Sequence, residues 1–241
     1  MENKAHTGSV IRRVTVFRAG ALCEEERELV EEVACRITAD GLPAGRLSCS
    51  PWGVRQAAIG SLYMQGIIEG ADDILSLEIS DKTGAITVVT RKKTHPSHRP
   101  IEAETTLSAS EVICLAEMLE EHSRLFRRTG GVHCAALARN GEFLAYEEDV
   151  SRHAAIDKLA GSCLTQHIPM AGSCLVFSGR VPGEILCKAV KMGCSVVIAR
   201  GAPTDHACRV AEQQSITLIG FAREDSFTVY ACPHRITTEQ Q

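Results

Sequence analysis

From residue 133 onward, short apolar runs alternate with stretches of helical spacing, and this rhythm constrains the fold more than any other feature of the chain. "HCAALA" and "EFLAYEE" flank the turn "RNG" as a hairpin, and "RHAAIDKLAG" reads as a helix. "SCLVFSG" is strand, "PGEILCKAVKMG" helix, "CSVVIAR" strand and "TDHACRVAEQQ" helix, before two closing strands in "ITLIGFA" and "FTVYAC". Strands separated by helices of about 8 to 12 residues predict an α/β fold with a largely parallel sheet covered by helices. In such a sheet, ligands sit outside the carboxyl ends of the strands.

The first third has a different pattern. "VIRRVTVFRAG" and "ELVEEVACRITADG" read as strands, the second pairing with "RLSCS". In "SPWGVRQAAIGSLYMQGII" the spacing predicts a helix with Ser50 as N-cap and Pro51 at its first position, whose Trp52 and Tyr63 should pack on the second domain or a partner subunit. "LSLEIS" and "AITVVTRKK" form a hairpin around "DKTG". Residues 91–106, with two prolines and no period, read as a polar loop. The next segment, "SASEVICLAEMLEEHSRLFRRTGG", predicts one long helix with a Ser108–Glu111 capping box, a face of Val112, Leu115, Leu119 and Phe126, and Gly130 at its end. The organisation expected is a smaller α+β N-terminal domain over 1–107 and an α/β domain over 108–241.

With 241 residues and 44% hydrophobic content, the chain can bury a sizeable core. A net charge of -4 excludes an electrostatic case for nucleic acid. No apolar run approaches the roughly 18 residues of a membrane span, and "MENKAHTGSV" lacks the apolar core of a signal peptide. A cytoplasmic location is expected. The 11 cysteines include no C-x-x-C pair, and most sit in apolar surroundings where a free thiol acts as a small buried hydrophobe.

Polar residues recur where the strands end. After "FLAYEE" come Asp149, Arg152, His153, Asp157 and Lys158, with His153 and Asp157 on one helix face and Asp149 placed to orient Arg152. After "CLVF" come Ser178, Gly179 and Arg180, with Pro182 and Glu184 in the first turn of a helix. In "ARGAPTDHA", Thr204 or Asp205 can cap the next helix. Each group has a plain structural role available, such as a Glu184–Lys188 pair at i, i+4. Their recurrence on one sheet edge points instead to a crevice in which arginines and helix N-termini meet an anion.

"TGGVHCAAL", "EDVSRHAAIDKLAG", "FSGRVPGEILCKAVKMGCSV", "APTDHACRVAEQQSITLIGF" and "FTVYACPHR", with "SPWGVRQAAIGSLYMQGIIEGADDI" before them, resemble the ordered motifs of the formate dehydrogenase accessory sulfurtransferase family (FdhD). That resemblance implies a cytidine-deaminase-like second domain. It also implies a cytoplasmic homodimer that binds the molybdenum cofactor as bis-molybdopterin guanine dinucleotide, with GDP as a partial mimic and no zinc. Its partners would be a cysteine desulfurase as sulfur donor and formate dehydrogenase as recipient. The cofactor-binding residues carried over are His133, Asp149, Arg152, His153, Asp157, Lys158, Ser178, Gly179, Arg180 and Glu184.

Two departures from the family pattern stand out. Ser151 and Ala154 replace a Gly and an Asn of the family's "D-V-G-R-H-N-A-x-D-K". The segment that carries the family's C-x-x-C reads "THPSHRPIEA" here, with no cysteine between Cys49 and Cys114. A persulfide relay needs an accessible thiolate, so the alternative is a protein that binds or delivers cofactor without transferring sulfur. Zinc-dependent deamination would need a Glu two residues after His133 and a P-C-x-x-C pair, and the chain has neither. His95 and His98 have metal-ligand spacing, but in a polar loop they read as solvated.

Overall fold

The computed structural model describes residues 8–91 and 105–238; His95, His98 and most of the polar loop lie outside the described residues. The chain opens with a two-stranded antiparallel ribbon, β1 (Ser9–Arg18) and β2 (Ala21–Val30). The strand expected in "ELVEEVACRITADG" joins the last residues of β2 to β3 (Val33–Ala39), whereas the chain breaks at Glu31 and Glu32. The four acids of β2 obscured its strand character. They lie beside the arginines of β1, with Arg18 3.0 Å from Glu25 and Arg13 3.7 Å from Glu24, and cross-strand opposite charges stabilise such a pair.

β3, β4 (Leu42–Cys49), β5 (Ile74–Ser80) and β6 (Ala85–Thr90) form a four-stranded sheet in the order β4-β3-β6-β5. The β5–β6 hairpin is the expected one. Helix α1 (Val54–Met64) buries Ala57, Ala58, Ile59 and Leu62 against this sheet. It does not begin at Ser50 and Pro51 as the spacing predicts. Gly53, with φ +64°, is its N-cap, because a tertiary contact holds Ser50: its N–H donates to Asp149 (2.9 Å) and its hydroxyl accepts from the Val150 N–H (3.0 Å).

A short parallel pair, β7 (Leu107–Ser108) with β14 (Ile236–Thr237), ties the middle of the chain to its end. The capping box of Ser108 and Glu111 opens α2 (Ala109–His122), as expected. The long helix is nonetheless broken at Ser123, whose hydroxyl lies 2.8 Å from the Cys134 thiol, and a separate α3 (Arg124–Thr129) follows. The break shifts the helical register. Leu125 is buried in place of Phe126, which is 47% exposed.

The third unit is a six-stranded sheet in the order β13-β12-β11-β10-β8-β9, made of β8 (His133–Arg139), β9 (Glu142–Asp149), β10 (Cys174–Phe177), β11 (Val196–Ala199), β12 (Thr217–Arg223) and β13 (Ser226–Ala231). Only β10–β11 and β11–β12 pair in parallel; β8–β9, β8–β10 and β12–β13 are antiparallel. The sheet is therefore mixed rather than largely parallel, since β8 and β13 run antiparallel to the central strands. Helices α4 (Arg152–Thr165), α5 (Gly183–Met192) and α6 (Asp205–Gln213) cover one face and α2 the other.

Helix α1 also packs across α4, as expected of the segment that contains Trp52 and Tyr63. Glycines permit the crossing: a Cβ on Gly60 would sit 1.7 Å from the Asp157 carbonyl oxygen, and one on Gly161 would sit 2.0 Å from that of Gln56. The Tyr63 hydroxyl donates to the Lys191 carbonyl (2.7 Å). The four-stranded sheet and α4 thus share a core that includes Ala154.

Candidate functional site

Because β9 and β10 both run antiparallel to β8, the ends of β9, β10 and β11 and the start of β8 lie along one edge of the sheet. Asp149 pairs in register with His133. The Ser178 hydroxyl accepts from the Cys134 N–H (2.9 Å), and the Ser178 N–H donates to the Cys134 carbonyl (3.0 Å), locking the start of β8 to the end of β10. The successive polar groups read along the sequence therefore do converge.

Their side chains divide into two sets. Three of the expected binding residues face inward. Asp149 and Lys158 form an ion pair of 2.6 Å with neither side chain exposed. Asp149 also accepts from the Ser50 and Ser151 N–H groups at 2.9 and 2.8 Å, and the Lys158 ammonium lies 4.6 Å from the centre of the Trp52 ring. Asp157 is buried and accepts from Lys188 (2.6 Å). Burial pushes the Asp157 carboxyl up, and the Lys188 ammonium opposes this. These groups connect α4 to the N-terminal segment and to α5, and they have almost no surface to offer a ligand. Asp149 is fully engaged and does not orient Arg152; Lys188 bonds to Asp157 rather than to Glu184, and Glu184 lies 3.7 Å from His153.

The second set borders solvent. The half-buried His133 ring stacks on Phe177 at 6.2 Å. The absence of a side chain at Gly179 permits this, because a Cβ there would sit 2.9 Å from the Phe177 ring and 3.2 Å from His133 Nδ1. Burial, then Arg152 and Arg180, hold the His133 pKa below its ordinary value. His153 is lowered by burial, then by Lys188 and Arg152. Both imidazoles therefore lie in a field of positive charge. Arg152 is partly buried, and its Nε is buried without a hydrogen-bond partner; Arg180 is exposed. A guanidinium N–H buried without an acceptor leaves hydrogen-bonding capacity unused. Among the described residues, no three or more His, Cys, Asp or Glu side chains gather as a metal-ligand set.

Residues 93–237, which hold the whole of this edge, match the model of the FdhD/NarQ family. The chain belongs to the FdhD/NarQ family. Among its relatives are the Sulfur carrier protein FdhD of Shouchella clausii, 31% identical over 93% of this chain and 96% of the relative, and that of Staphylococcus haemolyticus, 32% identical over 95% of each. A crystal structure from Desulfotalea psychrophila, described as a formate dehydrogenase accessory protein, superposes with a TM-score of 0.83 at 25% identity over 95% of this chain and 99% of that one. The mixed α/β architecture is thus the one found in this family. Among the described residues no helix is long and apolar enough to cross a membrane.

A cavity of about 340 Å³ opens beside the cationic groups on the α2 side of the sheet. His133, Cys134, Ser178 and Arg200 line it with residues of α2 and α3. Sequence reasoning in this family member missed Arg200 and Glu120, which form an ion pair at this cavity. Arg200 had a signal: it directly follows strand β11, and Arg180 lies just past the end of β10. Glu120 had none, because on a helix its acid reads as solvated surface. Cys134 is 1% exposed and faces α2, opposite His133, as the alternation of a strand requires. Burial raises its thiol pKa above the ordinary value, outweighing the hydrogen bond with Ser123.

Proposed function

We propose that this protein is an accessory factor in formate dehydrogenase maturation that binds bis-molybdopterin guanine dinucleotide at the carboxyl edge of its six-stranded sheet. The names carried by its relatives, sulfur carrier and formate dehydrogenase accessory protein, support the process. One observation carries the site: Arg152, in the first turn of α4, and Arg180, just past the end of β10, both bear on His133 at this edge, a set of cationic groups suited to the oxygens of a pyrophosphate. Arg152, Arg180 and His133 would hold the phosphates. Gly179 keeps the end of β10 low beside the ring of His133, and Ser178 fixes that end to β8. Asp149, Asp157 and Lys158 brace the helix that presents Arg152. The cofactor, when bound, supplies the molybdenum site that receives sulfur. The same reading places the protein in the cytoplasm as a homodimer, with a cysteine desulfurase and formate dehydrogenase as partners. A cytidine-deaminase-like ancestry of the second domain is supported by the parallel centre of its sheet with antiparallel strands on both sides.

Calorimetry with GDP tests the site. Arg152→Ala or Arg180→Ala is expected to weaken binding by about 1–3 kcal/mol, as loss of a charge-assisted contact does. Unchanged affinity in both variants removes the site; equal affinity for ADP and GDP removes the base preference.

The cysteines favour a second reading, in which the protein carries cofactor without relaying sulfur. The chain has no C-x-x-C, and Cys134, the cysteine at this edge, is buried with a raised pKa, which disfavours the thiolate. Mass spectrometry after incubation with a cysteine desulfurase and cysteine separates the two. A stoichiometric persulfide that disappears in a single Cys→Ala variant establishes a relay, and its absence from every cysteine establishes carriage alone.

A further inference from the structure

The ribbon of β1 and β2 stands apart from the rest of the chain. Its base is held, with Glu28 bonded to Arg128 and Val30 against Gly131. Beyond that base, every side-chain hydrogen bond and ion pair of residues 12–27 stays within the ribbon among the described residues. The registered rows from Arg12–Arg27 to Arg18–Ala21 therefore project for about 24 Å. A two-stranded ribbon by itself is marginally stable in water, and this one carries Phe17 and Leu22, 70% and 72% exposed, opposite one another at its tip. Alternation puts Arg13, Glu24 and Glu26 on the same face as these two. Arg13 lies 3.7 Å from Glu24, which leaves Glu26 without an ion-pair partner among the described residues.

The four-stranded sheet has a bare face. Helix α1 covers the side that carries Ile37, Leu47, Ile86 and Val88, so Arg36, Arg46, Thr87 and Val89 point away from it. Arg36 and Arg46 are exposed and directly opposite in register, and neither has an ion pair among the described residues. Like charges so placed destabilise a sheet, and an acid from outside would relieve them. We infer that the ribbon is an arm that lies across this face of a second copy of the chain, with Phe17 and Leu22 on Val89 and Glu26 against Arg36 and Arg46. This rests on the reading above that the protein is a homodimer, and adds the surface that makes it one. The spacings agree. Leu22 and Glu26 are four residues apart on β2, as are Val89 and Ala85 on β6, where Ala85 is in register with Arg36, so apolar and charged contacts are separated by about 13 Å on both surfaces. A two-fold axis makes the exchange reciprocal. A face of about 24 by 10 Å, buried on arm and acceptor in both copies, amounts to roughly 1,000 Å², the size at which a specific interface begins.

Sedimentation equilibrium of the full chain over a range of concentrations tests this, with circular dichroism to confirm folding. Phe17, Glu26 and Arg36 are all exposed, so the fold should tolerate their replacement. Phe17→Ser, Glu26→Arg and Arg36→Glu are each expected to weaken the dimer about tenfold or more, because the two-fold axis counts every loss twice. Glu26→Arg combined with Arg36→Glu again sets opposite charges against each other, and should bring the dissociation constant back to within about threefold of the parent. If the unsubstituted protein is monomeric at every concentration, the homodimer reading fails, and this inference with it. If the parent is a dimer whose dissociation constant is unchanged in Phe17→Ser and Glu26→Arg, the homodimer reading stands and the arm is not its interface. If the single variants weaken the dimer and the charge exchange does not restore it, the ribbon does not lie on the Arg36 face and the inference also fails.

Discussion

Removing one member of the Asp149–Lys158 pair should damage the fold and spare the crevice. Neither side chain is exposed, and they are 2.6 Å apart. Deleting one partner of a buried pair typically costs about 3–5 kcal/mol, because the other charge is left unpaired in a poorly solvating interior. Asp149 does more than balance charge, since it accepts the Ser50 and Ser151 N–H groups. Asp149→Ala therefore strands an ammonium and two amides, and the expected loss is at the upper end, about 5 kcal/mol. Lys158→Met keeps the carboxylate on its two N–H donors, and its expected cost is about 3 kcal/mol. Against a total stability of roughly 5–15 kcal/mol, either loss is large. Asp149→Ala combined with Lys158→Met removes both charges, so the double variant should be more stable than the two single losses sum to, by about 2 kcal/mol. Urea denaturation followed by circular dichroism measures all three, with GDP calorimetry on the folded proteins alongside. Single variants within 0.5 kcal/mol of the parent, a threshold of about the size of ordinary surface effects, would refute the reasoning. So would a Lys158→Met protein of normal stability that has lost GDP, because Lys158 would then serve the ligand directly.

Three further outcomes follow from the geometry. Gly60→Ala or Gly161→Ala forces α1 and α4 apart, because each new Cβ would lie within 2.0 Å of a backbone oxygen; a loss of about 3 kcal/mol or more, read as a lower Tm, is expected of such overpacking. His133 has a lowered pKa in the free protein, so it is neutral until the pH falls below its ordinary value near 6.5 and, with respect to folding, stability is present above that pH and lost as the pH falls through the lowered folded value. A bound pyrophosphate offsets Arg152 and Arg180 and favours the imidazolium, so binding should take up protons and tighten as the pH falls below about 6.5; calorimetry in buffers of different ionisation enthalpy shows this as net uptake, which His133→Gln should abolish. Cys134, buried and with its thiol pKa raised, should resist iodoacetamide in the native state, whereas the exposed Cys23, Cys114 and Cys187 react; equal rates at Cys134 would show that the cavity it lines admits the reagent.

The alternation of strands and helices after residue 133, the capping box at Ser108, a cap at Thr204 or Asp205, of which the structure uses Thr204, and the convergence of polar residues on one sheet edge were all legible in the sequence, because each depends on local spacing and on the direction in which strands run. The motifs of the FdhD/NarQ family were legible for the same reason: they are short and ordered along the chain. What the sequence could not decide is which polar side chains face the crevice. The stretch at residues 147–158 supplies Asp149, Arg152, His153, Asp157 and Lys158 within little more than three helical turns. Contacts with segments far along the chain sort them: Ser50 and Trp52 bury Asp149 and Lys158, Lys188 from α5 takes Asp157, and Arg152 is left with an unpartnered Nε. The N-cap of α1 and the break at Ser123 moved for the same reason. Ser50 is held by Asp149 and Ser123 by Cys134, and the tertiary hydrogen bonds override caps and propensities worth about 1 kcal/mol. Local rules place the elements, and burial of charge, which only the assembled fold determines, selects which of their residues remain available to a ligand.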